Sequence, residues 1–253
     1  MHSASCPRTR SERPRLRVDV ATTATQIAQA QRLRFQVFTE EFGARLDSPV
    51  PGLDLDTFDP HCDHLVVTDV HSGSVVATTR LLSDAGARAV GRFYSETEFD
   101  LSGFKAHAGR VLEIGRTCVH PAFRSGATLS LLWSGIAAYV LEHDYDQLIG
   151  CGSIPVNDGG ATAWAITERL LASHRVEDAL TVSPRRPLPR PARIPAHAGL
   201  PPLIKAYMRL GARIGGEPCH DPDFGCADLF IILRIEALAA RYSRHFLKRE
   251  HAE

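Results

Sequence analysis

The sequence lacks a net charge, a long apolar run and any closely paired cysteines. Lysine plus arginine number 29, and aspartate plus glutamate also number 29. That balance excludes a chain whose main partner is nucleic acid. No apolar stretch approaches the roughly 20 residues needed to cross a bilayer. The longest, 129–141, is broken by Ser130, Ser134 and Gly135. The arginines near the start are followed by no apolar segment, so they do not read as a secretory signal. Six cysteines are spread over 253 residues with no CxxC pair. They are too sparse for a disulfide framework, and reduced thiols in the cytoplasm are the expectation. There is no internal repeat. What remains is 44% hydrophobic and 23% charged residues, which suit a folded chain with a sizeable core.

The neutral total conceals two charged blocks. From Thr39 to Asp63 stand seven acids, Glu40, Glu41, Asp47, Asp54, Asp56, Asp59 and Asp63, against Arg45 alone, a net of −6. From Ala179 to Gly216 stand Arg185, Arg186, Arg190, Arg193, Lys205, Arg209 and Arg213 with no acid, a net of +7. Such blocks suit two partners of opposite charge, or they fold against each other or face solvent.

Patterning divides the chain into a tail at 1–14 and one domain over 15–253. Leu16–Val20 alternates like a half-buried strand. Thr22–Phe42 carries a helical apolar stripe that Thr22 or Thr23 can cap. Leu65–Val70 and Val75–Leu82 flank His71-Ser-Gly-Ser74 as a hairpin. A short helix is expected at Phe93–Phe99, strands at Val111–Val119 and Gln147–Ile154, and helices at Ser125–His143 and Ala161–Ala172. A Pro-rich basic insertion at about 181–201 must be extended or looped. Leu203–Leu210 reads as a helix ended by Gly211, and the apolar run Asp228–Ile235 as a central strand. Tyr242–Lys248 reads as a short amphipathic piece.

The most informative segment runs from Val111 to Ile154. A strand ends in Val119-His-Pro121, an Arg124-Ser-Gly-Ala127 loop follows, and a long helix begins. Small residues at a helix N-terminus present free N–H groups to a phosphate, and Arg124 adds a charge-assisted contact. This unit resembles the donor-binding core of the GNAT acyltransferase superfamily, and Tyr207-Met-Arg-Leu-Gly-Ala212 is similar to a segment near the end of that fold. Glycine stands one residue earlier than in the usual acetyl-CoA loop. A loop so altered suits the single phosphate of a carrier-bound phosphopantetheine, and the +7 block suits an acidic carrier.

Arg34-Phe-x-Val-Phe38, Arg80-Leu-Leu82 and Glu113-x-x-Arg116 together resemble the acyl-homoserine lactone synthases. Phe58-Asp-Pro-His-Cys-Asp-His-Leu65, the stretch 200–211, Glu217-Pro-Cys-His-Asp-Pro-Asp-Phe224 and Arg241-Tyr-Ser-Arg-His-Phe246 resemble more closely the bacterial ornithine N-alpha-acyltransferases of ornithine-lipid synthesis. These are hemolysin-like acyltransferases. The resemblance covers roughly residues 30–247.

It implies a GNAT acyl-CoA N-acyltransferase-like α/β (α+β) fold, with a mixed, mostly antiparallel sheet flanked by helices. It also implies transfer of a 3-hydroxyacyl chain from acyl carrier protein to the α-amine of ornithine, giving lyso-ornithine lipid. Acyl-CoA is the alternative donor, acyl-phosphopantetheine the co-substrate in either case, and no permanent cofactor or metal is expected. The alternatives are a lactone synthase, an acyltransferase for another amino acid, or a non-catalytic module binding carrier protein or membrane. Basic Arg241–Arg249 suits peripheral contact with the inner face of a membrane.

The expected catalytic residues are Glu113, Arg116 and Tyr207. Glu113 serves either as the base that deprotonates the amine or as an ion-pair partner of Arg116 or Arg80. Tyr207 is either the donor of a proton to the departing thiolate or a packed tyrosine. Backbone N–H groups near Val119 would polarise the thioester carbonyl, with Arg124, Ser125, Gly126 and Ala127 beside the phosphate. Arg34, Arg80 or Arg116 would take the acceptor carboxylate. Asp47, Asp54, Asp56 or Asp59 would take its cationic side chain. Cys118 reads as a packed thiol, since direct transfer needs no covalent step. His61-Cys-Asp-His64 and Cys219-His-Asp221 lack regular metal-ligand spacing.

Overall fold

The structure is a computed structural model that describes residues 15–236. The expected tail at 1–14 and the amphipathic piece at 242–248 lie outside the described residues. In chain order the elements are β1 (Leu16–Val20), α1 (Ala24–Phe35), β2 (Cys62–Asp69), β3 (Val75–Ser83), α2 (Asp84–Val90), β4 (Phe99–Asp100) and α3 (Ser102–His107). They continue with β5 (Val111–Val119), α4 (Gly126–Glu142), β6 (Gln147–Pro155), α5 (Ala161–His174), β7 (Ser183–Pro184), α6 (Pro202–Leu210), β8 (Arg213–Ile214), β9 (Cys219–Asp221) and β10 (Cys226–Arg234). The main sheet runs β1-β2-β3-β5-β6-β10-β8, with β9 also paired to β10. Every pairing in it is antiparallel except β5 with β6. The expected mixed, mostly antiparallel sheet between helices is thus present.

Local chemistry explains the element ends. Thr23 caps α1 in a reciprocal box with Gln26. The helix then widens into a π-helical turn, Gln36–Glu41, so the expected single helix has two geometries. Gly211 closes α6 in the left-handed region at φ 98°. Two short helices escape the sequence pattern. α2 contains Gly86 and α3 has six residues, too short to show a period. The segment expected as a helix at Phe93–Phe99 is a single 3-10 turn, Tyr94–Thr97, running into β4. The Pro-rich insertion crosses the molecule as an extended strap, with Arg185 N–H donating to Glu98 O and Leu188 N–H to Pro218 O.

Alternation along the strands sorts side chains onto two faces. Leu112, Ile114, Leu148, Leu229 and Ile231 pack under α4, α5 and α6. Val111, Ile149, Phe230 and Ile232 face α2 and α3. A smaller cluster, including Val66, Val75 and Cys118, lies under α1.

Two irregularities shape the centre. β5 and β6 pair only from Val111 opposite Gln147 to Glu113 opposite Ile149. Beyond that point the two strands part. On its other edge β5 carries a bulge, because its register with β3 slips between Thr78 and Arg80. Arg116 lies within the bulge at φ 53°. The extra residue reverses the alternation, so Cys118 turns toward α1 instead of following Leu112 and Ile114.

Gly150 stands where the strands begin to part, and a Cβ there would run into the Ile114 carbonyl. Gly150→Ala must therefore push β5 from β6. Overpacking of this kind costs about 1–3 kcal/mol, which thermal denaturation reads directly. An unchanged Tm would show that the strands are free to move apart there.

Candidate active site

The acidic stretch folds onto arginines. Asp54, Asp56 and Asp59 lie in the loop between α1 and β2. Arg34 comes from α1, Arg80 from β3 and Arg116 from the bulge in β5. Arg34, with no exposed surface, donates from Nε to Asp54 (2.8 Å) and from Nη2 to Asp59 (2.7 Å) and the Asp54 carbonyl. Arg80 bridges Asp56 (2.6 Å) and Asp59 (2.9 Å). Arg116 donates to Asp54 (3.1 Å) and lies between the rings of Tyr94 and Phe224. Burial works to raise the Asp59 pKa, but the Arg34 and Arg80 charges overcome it and hold the carboxyl well below its ordinary value. Burial, aided by the Arg34 charge, pushes His64 down, so its imidazole stays neutral beside them.

This corrects one expectation. Asp54, Asp56 and Asp59 do not wait for an external cation, since three guanidinium groups already meet them. Asp47 is exposed on the loop and, among the described residues, shares no hydrogen bond with them. These three of the block's seven acids are thus partners of the protein's own arginines.

Glu113 ends the part of β5 that is paired with β6. It is buried and accepts from Tyr94 N–H (2.6 Å), Ser95 N–H (2.7 Å) and the Ser95 hydroxyl. Burial raises its pKa, and those donors oppose the rise. It shares a small recess with Arg80, Leu82, Tyr94 and Gly115. The two residues thus touch one recess, but Arg80 spends its ion pairs on Asp56 and Asp59.

On the opposite face, Tyr207 of α6 lines a second recess with Ile114, Trp133 and Gly150. Burial raises its phenol pKa, opposed by a hydrogen bond with Thr117. The parting of β5 from β6 therefore has a carboxylate on one side of the sheet and a protonated phenol on the other.

A family profile described as "Acetyltransferase (GNAT) domain" matches residues 33–134. The L-ornithine N(alpha)-acyltransferase of Rhizobium meliloti (strain 1021) is 38% identical, covering 91% of this chain and 84% of its own. That of Rhodobacter capsulatus is 35% identical, covering 92% and 95%. The chain belongs to the L-ornithine N(alpha)-acyltransferase family. It is an acyltransferase with a GNAT domain. Among solved structures, FeeM, an N-acyl amino acid synthase from uncultured soil microbes, aligns with a TM-score of 0.55 at 14% identity. That alignment covers 88% of this chain and 93% of FeeM. The acyl-homoserine lactone synthase LasI aligns at 0.53 and 15%, covering 87% and 90%. These low identities speak for the fold.

In this family member, the loop expected to hold the donor phosphate is the N-terminus of the 17-residue α4. Ser125 caps it by accepting from Thr128 N–H (3.2 Å). Gly126 and Ala127 form its exposed first turn. Arg124 reaches back to the Val119 carbonyl (3.2 Å) and holds both oxygens of Glu41. It is thus tied by an exposed ion pair before any phosphate arrives. Cys118 is buried, and burial pushes its thiol up to about 12, far from a nucleophilic thiolate.

Sequence reasoning missed a second polar group on the Glu113 face. Glu98, Asp221 and Asp228 are all buried. Asp228 accepts from Ser153 (2.6 Å) and from the Cys226 thiol (3.4 Å). Burial and the Asp221 charge push Asp228 up to about 6, against the Ser153 bond. One signal was present: Asp228 is a lone acid in a nearly all-apolar strand, and a buried polar residue is the informative kind.

Proposed function

We infer that this protein transfers a 3-hydroxyacyl chain from the phosphopantetheine of acyl carrier protein to the α-amine of L-ornithine, as one domain at the cytoplasmic side. The product is a lyso-ornithine lipid. Membership of a family named for ornithine supports the acceptor. The observation that carries the chemistry is the cleft where β5 and β6 part, with Glu113 on one face and Tyr207 on the other.

The thioester enters between the strands with its phosphate at the first turn of α4. Backbone N–H groups near Val119 polarise its carbonyl. Glu113, made more basic by burial, takes a proton from the acceptor ammonium, directly or through one water. The freed amine attacks, and the C–N bond forms as the C–S bond breaks. Tyr207 then gives its proton to the departing thiolate. Arg80 lines the Glu113 recess and Arg116 stacks on Tyr94 beside it, so both guanidinium groups, though paired with the loop acids, are near enough to attract the acceptor carboxylate. The basic block at 179–216 suits the acidic carrier, although Arg190 already stacks on Trp164 and pairs with Glu168.

The test offers the purified protein 3-hydroxypalmitoyl carrier protein with single amino acids and identifies products by mass spectrometry. Acylated ornithine is expected, and Glu113→Gln should lower kcat about 100-fold or more while the fold is kept. Product from glycine but none from ornithine would overturn the acceptor. An equal rate from acyl-CoA would overturn the carrier-protein donor. Full activity in Glu113→Gln would overturn the base.

A further inference from the structure

The family's acceptor carries two ammonium groups, and the reaction consumes one. The other needs acceptors inside the site, because a buried ammonium without them is costly. The loop acids Asp54, Asp56 and Asp59 are committed to arginines. Glu98, Asp221 and Asp228 are not so committed. Glu98 is 2% exposed, and its Oε2 has no hydrogen-bond partner among the described residues. The side chain reaches hydrogen-bonding distance of Asp228, and the charges weighing on it are those of Asp228 and Asp221, both acidic. The nearby guanidinium of Arg185 is held on the Glu96 carbonyl (2.8 Å).

Position matters as much as charge. Cys151, Ser153 and Asp228 lie on the Glu113 side of the sheet. The Ser95 hydroxyl donates to Glu113 and also contacts the Cys151 thiol (3.4 Å). Cys151 is opposite Phe230, and Ser153 opposite Asp228, in the β6–β10 ladder. The acids therefore lie a few contacts from Glu113. Ser153, whose hydroxyl donates to Asp228, is exposed past the point where β5 leaves β6. The cluster is buried, and the exposed Ser153 marks its edge on the stretch of β6 that β5 has left.

We propose that Glu98, Asp221 and Asp228 form the subsite for the side-chain ammonium of the acceptor amino acid, placing its α-amine beside Glu113. An ammonium brings three N–H donors, and the cluster offers the unpartnered Glu98 oxygen with two further carboxylates. A metal ion is the rival occupant, since oxygens of Asp221 and Asp228 and the Cys226 sulfur lie within 4.8 Å of one another. That set suits it less well. The thiol would have to ionise beside two acids, and burial holds it protonated. The proposal rests on the ornithine reading above, and it adds the residues that select ornithine.

The experiment compares ornithine with norvaline, which has the same carbon chain without the terminal amine. Wild-type, Glu98→Gln and Asp228→Asn proteins are assayed with saturating acyl carrier protein. Wild type is expected to favour ornithine by about 100-fold or more in kcat/KM, the scale of losing a buried charged contact. Each variant should lose about 30-fold or more of that preference through KM for ornithine, with norvaline changed less than about threefold. Both variants should melt at or above the wild-type temperature. A variant that keeps the preference, or that loses both substrates equally, overturns the proposal.

Calorimetry separates this from the reaction reading. If wild type acylates some other amine, yet binds ornithine more tightly than norvaline and loses that difference in Asp228→Asn, the subsite stands and the reaction falls. If ornithine and norvaline bind alike, the subsite falls. Stoichiometric Zn²⁺ binding that Asp228→Asn abolishes and that displaces ornithine would also overturn it.

Discussion

Arg34→Met is expected to lose about 3–5 kcal/mol of stability, the typical cost of removing one partner from a buried ion pair. Against a usual total of about 5–15 kcal/mol, that loss brings the protein near its unfolding limit. Arg34 is fully buried, and its guanidinium joins Asp54, Asp59 and the Asp54 carbonyl. Without it, two carboxylates remain inside with only Arg116 and Arg80 to answer them. The loop that carries them loses its anchor on α1. Methionine keeps much of the volume, so the loss reports charge and hydrogen bonds rather than a hole.

The double variant Arg34→Met/Asp54→Asn should recover part of the loss, because it removes a charge left unpaired. Urea denaturation of the three proteins measures both effects. A loss under about 1 kcal/mol for Arg34→Met would show that the network does not depend on this residue. The network also sets an acid limit. Asp59 has a folded pKa held below its unfolded value of about 3.8. Its contribution is present above that value and fades as pH falls toward the folded pKa.

Asp228→Asn is expected to act in the opposite direction, raising stability at pH 7.5 by up to about 3 kcal/mol. The folded carboxyl binds its proton at about 6, against an ordinary 3.8. A raised carboxylate pKa means that the folded state holds the proton more tightly than the unfolded state does. The contribution of this one group is therefore most favourable below about pH 4, declines as pH rises from about 4 to 6, and is level beyond. The difference corresponds to about 3 kcal/mol by linkage. Asparagine removes the charge and can still meet Ser153. The gain should appear at pH 7.5 and vanish at pH 4, so Tm measured at both values tests the sign as well as the size. An equal gain at both would mean that the charge of Asp228 is not what strains the fold. A residue that weakens the protein in its working range, and whose replacement stabilises it, is the usual mark of a group kept for function.

Much of the backbone was legible in advance because it is written locally. Alternation placed β1, the turn between two strand-like runs placed β2 and β3, and an apolar run placed β10. Ser125 and Gly211 marked a helix start and a helix end. Glu113, Arg116, Tyr207 and the 124–127 loop were singled out from motifs whose spacing survives in the chain. The misses have local causes too. α2 and α3 are too short to show a period. The bulge at Arg116 turns on one extra residue in β5, visible only against its partner strand.

Charge was where local reading failed. The −6 block looked like a receptor for an outside cation because its partners stand far off in the sequence. Arg34 precedes Asp54 by 20 residues, and Arg116 follows it by 62. The buried acids that share no ion pair with an arginine among the described residues came from β4's approach, β9 and β10, and no sequence window contains them together.

The sequence by itself determined the family, the strand and helix periods, and the residue types that acyl transfer requires. Those follow from side-chain spacing and backbone preference, which act over a few residues. Only the tertiary structure decided which carboxylates meet arginines and which lie buried without them. That outcome depends on burial and on distances of a few ångströms between chain-distant groups, and these exist only once the sheet is formed.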